Sequence, residues 1–218
     1  VKATGSQWKW KYDYLDGVGE GITIYSNLDD KSKEISQRDS GLKPTDHENY
    51  LRDVDEPIVL PINTKIRILT TAQDVIHSWW VPDLGWKRDA IPGFINDNWA
   101  IIEKTGTYRG KCTEICGAGH GYMPIVLEAV SMEDYTEWVD KKKLAQEASK
   151  NTSNIVLNME ELMTKGEKVY KAQCLVCHQA SGEGLKGAFP SIVGSAIAID
   201  ASNRLRHIQQ IIHGKGLM

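Results

Sequence analysis

Two short segments concentrate the residues able to do chemistry. The run Cys112-Thr113-Glu114-Ile115-Cys116-Gly117-Ala118-Gly119-His120-Gly121-Tyr122-Met123 places two thiols, an imidazole and a thioether within twelve residues. Soft donors of this kind suit copper, and the second thiolate allows two sulfur bridges and therefore two copper ions. A Cys112 to Cys116 disulfide in an oxidising compartment, or a zinc site, fits the same spacing, and spacing alone leaves both open. The second segment, Cys174-Leu175-Val176-Cys177-His178, is a Cys-x-x-Cys-His run. Two thiols a helical turn apart reach the two vinyl groups of a haem while the adjacent imidazole reaches the iron, which is covalent c-type attachment. A redox Cys-x-x-Cys or half a zinc site are the competing readings, and no βαβ pattern accompanies the motif to support a redox fold.

Each segment needs further ligands from elsewhere. His77 lies 35 residues before Cys112, at the end of a strand-like stretch, where the remote imidazole of a cupredoxin sits. For the haem iron, Met218 is the methionine that follows the motif and is the expected sixth ligand. Met159 and Met163 precede it on the apolar face of a helix, where core packing is expected. His207 and His213 offer a bis-imidazole alternative on another amphipathic helix.

Strands must position the first segment. Trp8, Trp10, Tyr12 and Tyr14 alternate with polar residues, the period of a half-buried strand, and Gly21 to Tyr25 reads as its partner. Strand signals return at Ile58 to Ile62, Lys65 to Thr71, Trp99 to Glu103 and Ile125 to Val130, arguing for an all-β sandwich or barrel. Between them, residues 26 to 56 lack hydrophobic periodicity and read as a long solvated insertion. Ser131 with Asp134 resembles a capping box, and Tyr135, Trp138 and Val139 share a helical face. Ala148 to Asn154 reads as a linker. Asn158, with Glu161 three residues on, caps a helix whose apolar face carries Met159, Leu162, Met163 and Val169, and Leu205 to Ile212 forms a last helix ended by Gly214.

At 218 residues, with 41% hydrophobic and 25% charged residues, the chain has the composition of a globular protein with room for two domains. No run approaches the roughly 18 apolar residues of a membrane helix, and the start at Val1 reads as that of a mature or excised soluble part. Residues 1–149 carry 18 Lys and Arg against 24 Asp and Glu, whereas residues 150–218 carry 8 against 5. Opposite net charges of −6 and +3 predict mutual attraction that weakens with salt, and no basic stripe suggests nucleic acid.

The first segment, together with His77-Ser78-Trp79-Trp80-Val81-Pro82, Leu84-Gly85, Lys87 and Asp89-Ala90-Ile91-Pro92-Gly93, resembles subunit II of haem-copper cytochrome c oxidase, over Gln7 to about Trp138. The resemblance implies a dinuclear CuA centre with Cys112 and Cys116 as bridging thiolates, His77 and His120 as terminal imidazoles, and Met123 and the Glu114 carbonyl as weak ligands. It also implies that the Glu114 side chain faces a magnesium shared with subunit I, and that electrons enter through Trp8. The family pattern has an aromatic residue at position 9, where this chain has Lys9. Around Cys174, the preceding helix, Gly182 to Gly187 and Phe189-Pro190 resemble a class I cytochrome c, in which the Pro190 carbonyl would orient His178.

The expected architecture is a mainly β cupredoxin-like barrel, residues 1–149, followed by a small all-α cytochrome c domain, residues 150–218, incomplete at its C-terminus. The expected function is electron transfer from haem c, held by Cys174, Cys177, His178 and Met218, to CuA and on to haem a of subunit I for oxygen reduction. Expected partners are subunit I, other membrane subunits, and an upstream cytochrome c or quinol-cytochrome c reductase as donor. The expected location is the periplasmic face of a bacterial inner membrane, with an anchoring N-terminal hairpin outside this chain. A denitrification reductase using the same copper centre, and a copper-delivery module, are the alternatives.

Overall fold

The computed structural model describes residues 1–38, 40–151 and 157–213. Its strands are β1 (Lys2–Ser6), β2 (Lys9–Asp13), β3 (Thr23–Ser26), β4 (Ile58–Pro61), β5 (Lys65–Ala72), β6 (His77–Val81), β7 (Trp86–Ala90), β8 (Asn96–Ile101), β9 (Gly106–Cys112) and β10 (Pro124–Val130). They form two five-stranded sheets, ordered β3-β2-β1-β5-β8 and β4-β10-β9-β6-β7. Pairing is parallel between β1 and β5 and between β4 and β10, and antiparallel elsewhere. The chain is therefore mostly β and cupredoxin-like at its N-terminal end, and helical at its C-terminal end.

Alternation explains the inner faces. In β2, Trp10 and Tyr12 are fully buried between half-buried neighbours, and β2 pairs with β3 through Tyr12 and Ile24, as the expected partner strand requires. Trp10, Tyr12, Ile58, Leu60, Ile68, Trp79, Ile125 and Leu127 build the core between the sheets. Each such side chain contributes about 1.5–3 kcal/mol by leaving water. Trp8 departs from the expected strand. It lies with Gln7 in the tight connection between β1 and β2, where Ser6 faces Lys9, and it is half-buried.

The 26 to 56 segment also differs from the solvated insertion expected. It contains helix α1 (Asp30–Ile35), whose N-cap Asp29 accepts the Ser32 N–H, with Leu28, Ser32, Lys33 and Ile35 buried. Leu28 precedes the helix and Ile35 is its one buried apolar residue, too sparse a pattern to reveal a helix held mainly by tertiary contact.

Helix α2 (Met132–Asn151) starts where expected. The Ser131 hydroxyl accepts the Asp134 N–H, and Tyr135 stacks on Trp138, which in turn meets Tyr14. The expected linker is helical as far as Asn151, and the rest of it, up to Asn154, lies outside the described residues. Helix α3 (Met159–Gln173) carries the reciprocal Asn158–Glu161 cap. Then follow α4 (Leu175–His178), α5 (Ala196–Ile199) and α6 (Arg204–His213), the expected stop at Gly214 being outside the described residues. Core packing for Met159 and Met163 is not what the structure has. They are 73% and 68% exposed, because the short C-terminal helices turn these sides outward instead of burying them on one another. Among the described residues no helix is long and apolar enough to cross a membrane.

Candidate metal centre

Three neighbouring strands converge on the thiols. His77 opens β6 rather than ending a strand, and β6 lies beside β9 with Trp79 opposite Cys112, the last residue of β9. The loop 113–123 returns to β10, pinned by Cys112 N–H to Met123 O (3.2 Å) and by Thr113 N–H to Ser78 O (3.1 Å). Cys112 Sγ thus lies 3.9 Å from both His77 Nδ1 and Cys116 Sγ, and 3.4 Å from the Glu114 carbonyl oxygen. Cys116 Sγ lies 3.4 Å from His120 Nδ1 and 3.6 Å from Met123 Sδ. All six residues expected as copper ligands therefore meet in one place. His77, Cys112, Cys116 and Met123 are buried and His120 half-buried. Both cysteines are free, and their 3.9 Å separation is nearly twice a disulfide length of about 2.05 Å.

The donor set fits a cation. Although burial opposes it, hydrogen bonding to His77 and to backbone near Ser78 and Glu114 holds the Cys112 thiol below its ordinary value. Burial and then the charge of Cys112 push Cys116 up to about 12. Two buried sulfurs so close cannot both ionise without positive charge between them, which a metal supplies. Against burial, the bond from Asp74 and then that from Cys112 raise His77 to about 9. His77 Nε2 meets Asp74 Oδ1 at 2.8 Å, fixing the ring with Nδ1 toward the sulfurs. Asp74 is itself held by the N–H groups of Gln7 and Val75.

The loop 113–123 rests on Trp8. The Cys116 carbonyl accepts both the Trp8 indole N–H (3.0 Å) and the Gln7 side-chain amide (2.8 Å). A Cβ at position 119 would fall 2.8 Å from Trp8 Cγ and closer still to Cδ2 and Cε3, so glycine is required there by contact. Gly5 in β1 presses on the His77 ring in the same way.

At the other end, Cys174 and Cys177 flank the start of α4, both half-buried and free. His178 Nδ1 lies 3.0 Å from the Pro190 carbonyl oxygen, leaving Nε2 available to an iron. Gly184 has φ +68°, and any side chain there would strike the Phe189 and Pro190 carbonyls, so this glycine lets the loop close under His178. Met159, Met163 and Leu205 are exposed apolar side chains on α3 and α6. His207 is half-buried on α6, while Met218 and the side chain of His213 lie outside the described residues.

Glu114 is half-buried, and among the described residues the one cluster of three or more His, Cys, Asp or Glu ligands is His77, Cys112 and Cys116, so nothing here joins Glu114 in a magnesium site. Sequence reasoning missed Asp74, Gln7 and Gly5, and took Phe189 only as part of the haem segment, without its contact with Trp8. Of these, Asp74 carried a signal: a carboxylate three residues before a candidate metal histidine is a common partner for its second nitrogen.

The two facing sheets with donors gathered at one edge define a cupredoxin-like copper domain, joined to a helical region bearing a haem-attachment motif. Residues 1–130 match the family described as cytochrome c oxidase subunit II, periplasmic domain, and residues 161–218 match cytochrome c oxidase, cbb3-type, subunit III. The chain belongs to the cytochrome c oxidase subunit II family. It is 46% identical over 148 residues to cytochrome c oxidase subunit 2 of Cyanidium caldarium, covering 66% of this chain and 54% of that protein. It is 45% identical over 151 residues to the probable cytochrome c oxidase subunit 2 of Rickettsia felis, covering 69% and 44%. The chain thus spans about half the length of the curated relatives it matches. Among solved structures it is similar to the periplasmic domain of subunit II of cytochrome oxidase of Bradyrhizobium japonicum, with TM-score 0.56 and 36% identity over 66% of this chain and 93% of that one. It is also similar to a mixed disulfide intermediate between a thioredoxin-like protein and cytochrome c oxidase subunit II, with TM-score 0.51 and 34% identity over 66% and 91%.

Proposed function

We propose that the chain is the electron-transfer part of a haem-copper oxidase, with a copper domain at residues 1–149 and a haem domain at residues 150–218. Cys112, Cys116, His77, His120, Met123 and the Glu114 carbonyl would together hold two coppers, the thiolates supplying the charge and the imidazoles the neutral donors. Cys174 and Cys177 bind haem c covalently and His178 ligates its iron, with Met218 as the sixth ligand. When bound, the two groups would supply balanced one-electron exchange between the haem end and the copper end of the chain. The chain's residues keep this exchange cheap in reorganisation. Burial of His77, Cys112, Cys116 and Met123 excludes water, Asp74 locks the His77 ring, and Trp8 braces the Cys116 carbonyl.

The reading places the chain on the periplasmic side of a membrane, against subunit I, which would take the electrons onward for oxygen reduction, and with an upstream cytochrome c or quinol-cytochrome c reductase as donor. A magnesium at Glu114 rests on family resemblance alone. The similarity to a mixed disulfide with a thioredoxin-like protein supports a need to keep Cys112 and Cys116 reduced before copper enters.

The observation that carries the proposal is the cluster around Cys116 Sγ, with Cys112 Sγ, His120 Nδ1 and Met123 Sδ within 3.9 Å of it. Copper and iron quantitation with electron paramagnetic resonance on one sample tests it. Two coppers per iron, sharing one unpaired electron that Cys116→Ser abolishes, is the expected result, and one copper per iron contradicts it.

A further inference from the structure

The two ends of the chain meet through a specific set of contacts. The Gln179 side-chain oxygen accepts the Arg38 N–H at 3.1 Å, and the Gln37 side-chain oxygen accepts the Ala180 N–H at 2.9 Å. Each glutamine thus receives the backbone donor of the residue that follows the other, a reciprocal clasp that fixes register as well as proximity. Gln179 is buried, with its backbone carbonyl taken by the Tyr170 hydroxyl at 2.7 Å. Lys9 donates to the Gln173 side-chain oxygen at 2.5 Å, and the Gln173 amide donates to the Asn27 side-chain oxygen at 3.3 Å. Beside the clasp, Phe189 meets Trp8 edge to face, ring centroids 5.7 Å apart at 76°. A cavity of about 60 Å³ between the two ends is lined by Trp8, Asn27, Gln173 and Cys177 among others.

We propose that residues 27–38 are a built-in dock for the Cys-x-x-Cys-His domain, and that the Gln37–Gln179 clasp holds Phe189 against Trp8, so that Trp8 serves this chain's own second domain and not an outside protein. The segment with least pattern in the sequence then has a task, and Lys9 makes one of the bonds across the interface. Among the described residues no ion pair crosses between the two ends. The dock is held by neutral amides and one lysine-to-amide bond, beside which Asp30 of α1 attracts the exposed Lys171 of α3 through space without an ion pair, so screening has little to weaken, in contrast to the attraction expected from the −6 and +3 charge split.

The proposal rests on the proposed function for the roles of the two ends, and its test is separate from metal counting. Hydrogen exchange on the full chain carrying copper and haem reads the clasp directly. The Arg38 and Ala180 amides are expected to exchange at least about tenfold more slowly in the native chain than in Gln37→Ala/Gln179→Ala, while β5 and β10 amides are unchanged. Gln37→Ala alone, which spares the buried glutamine, should release Ala180 and leave Arg38 protected. Raising salt should alter neither amide in the native chain. Equal exchange in native and double-variant chains, or protection that collapses with salt, overturns the proposal whatever the metal content.

Discussion

Trp8 donates its indole N–H to the carbonyl oxygen of Cys116 at 3.0 Å, which places an aromatic ring one residue's backbone away from a sulfur of the copper site. The glycines at 117 and 119 of the same loop lie against the ring, and Phe189 meets it edge to face.

That packing predicts a sharp difference between two glycines of one loop. Gly119→Ala drives a methyl group into the Trp8 ring, whereas a Cβ at Gly121 meets nothing within 4 Å. Overpacking of this kind costs about 1–3 kcal/mol. Thermal unfolding should show Gly119→Ala melting lower, by about 2–4 °C per kcal/mol for a chain of this size, with Gly121→Ala unchanged. Equal melting of the two variants would refute the contact.

Asp74→Asn replaces the carboxylate that holds His77 Nε2 at 2.8 Å. Losing such a partner typically weakens metal binding about 10- to 100-fold. Competition with a chelator of known copper affinity checks this, and an unaltered affinity would show that Asp74 does not orient the ligand.

Asp13 on β2 faces Lys2, Lys11 and Thr23. Burial works against its charge, but the bonds from Lys11 and Thr23 and then from Lys2 hold its carboxyl below the ordinary 3.8. A depressed carboxylate contributes stability that is fully present above the unfolded value and is lost as pH falls through the folded one. Denaturant unfolding should therefore find the native chain more stable than Asp13→Asn at neutral pH, with the gap closing below 3.8. A gap that stays constant into acid would show that Asp13 gains nothing from those lysines.

Much of this was legible before any coordinates. Alternation exposed β2, and short hydrophobic runs exposed β4, β5, β8 and β10. Chemistry written in contiguous letters was legible too: Cys112 to Met123 lie on one loop, and Cys174 to His178 on one turn. What stayed hidden depends on partners distant in sequence. Gly5 looks like any strand glycine until the His77 ring is found against it, and Phe189 looks like a loop aromatic until Trp8 is found 5.7 Å away. Helix α1 was hidden because six residues with a single buried apolar position, Ile35, carry no readable period.

The haem-attachment motif makes a simple chemical prediction. With Cys174 and Cys177 forming thioethers, acid acetone should leave the haem on the polypeptide, and Cys174→Ser/Cys177→Ser should release it into the solvent. Haem extracted from the native chain would contradict covalent attachment.

The central claim is that one chain passes an electron from its haem domain to its copper domain. Photoreduction of the haem in the full chain carrying both metals, followed at haem and copper absorption bands, tests it most directly. The account predicts that the haem reoxidises as the copper centre is reduced, with one shared rate constant that does not change with protein concentration. A haem that stays reduced, or a rate that rises in proportion to protein concentration, would contradict it.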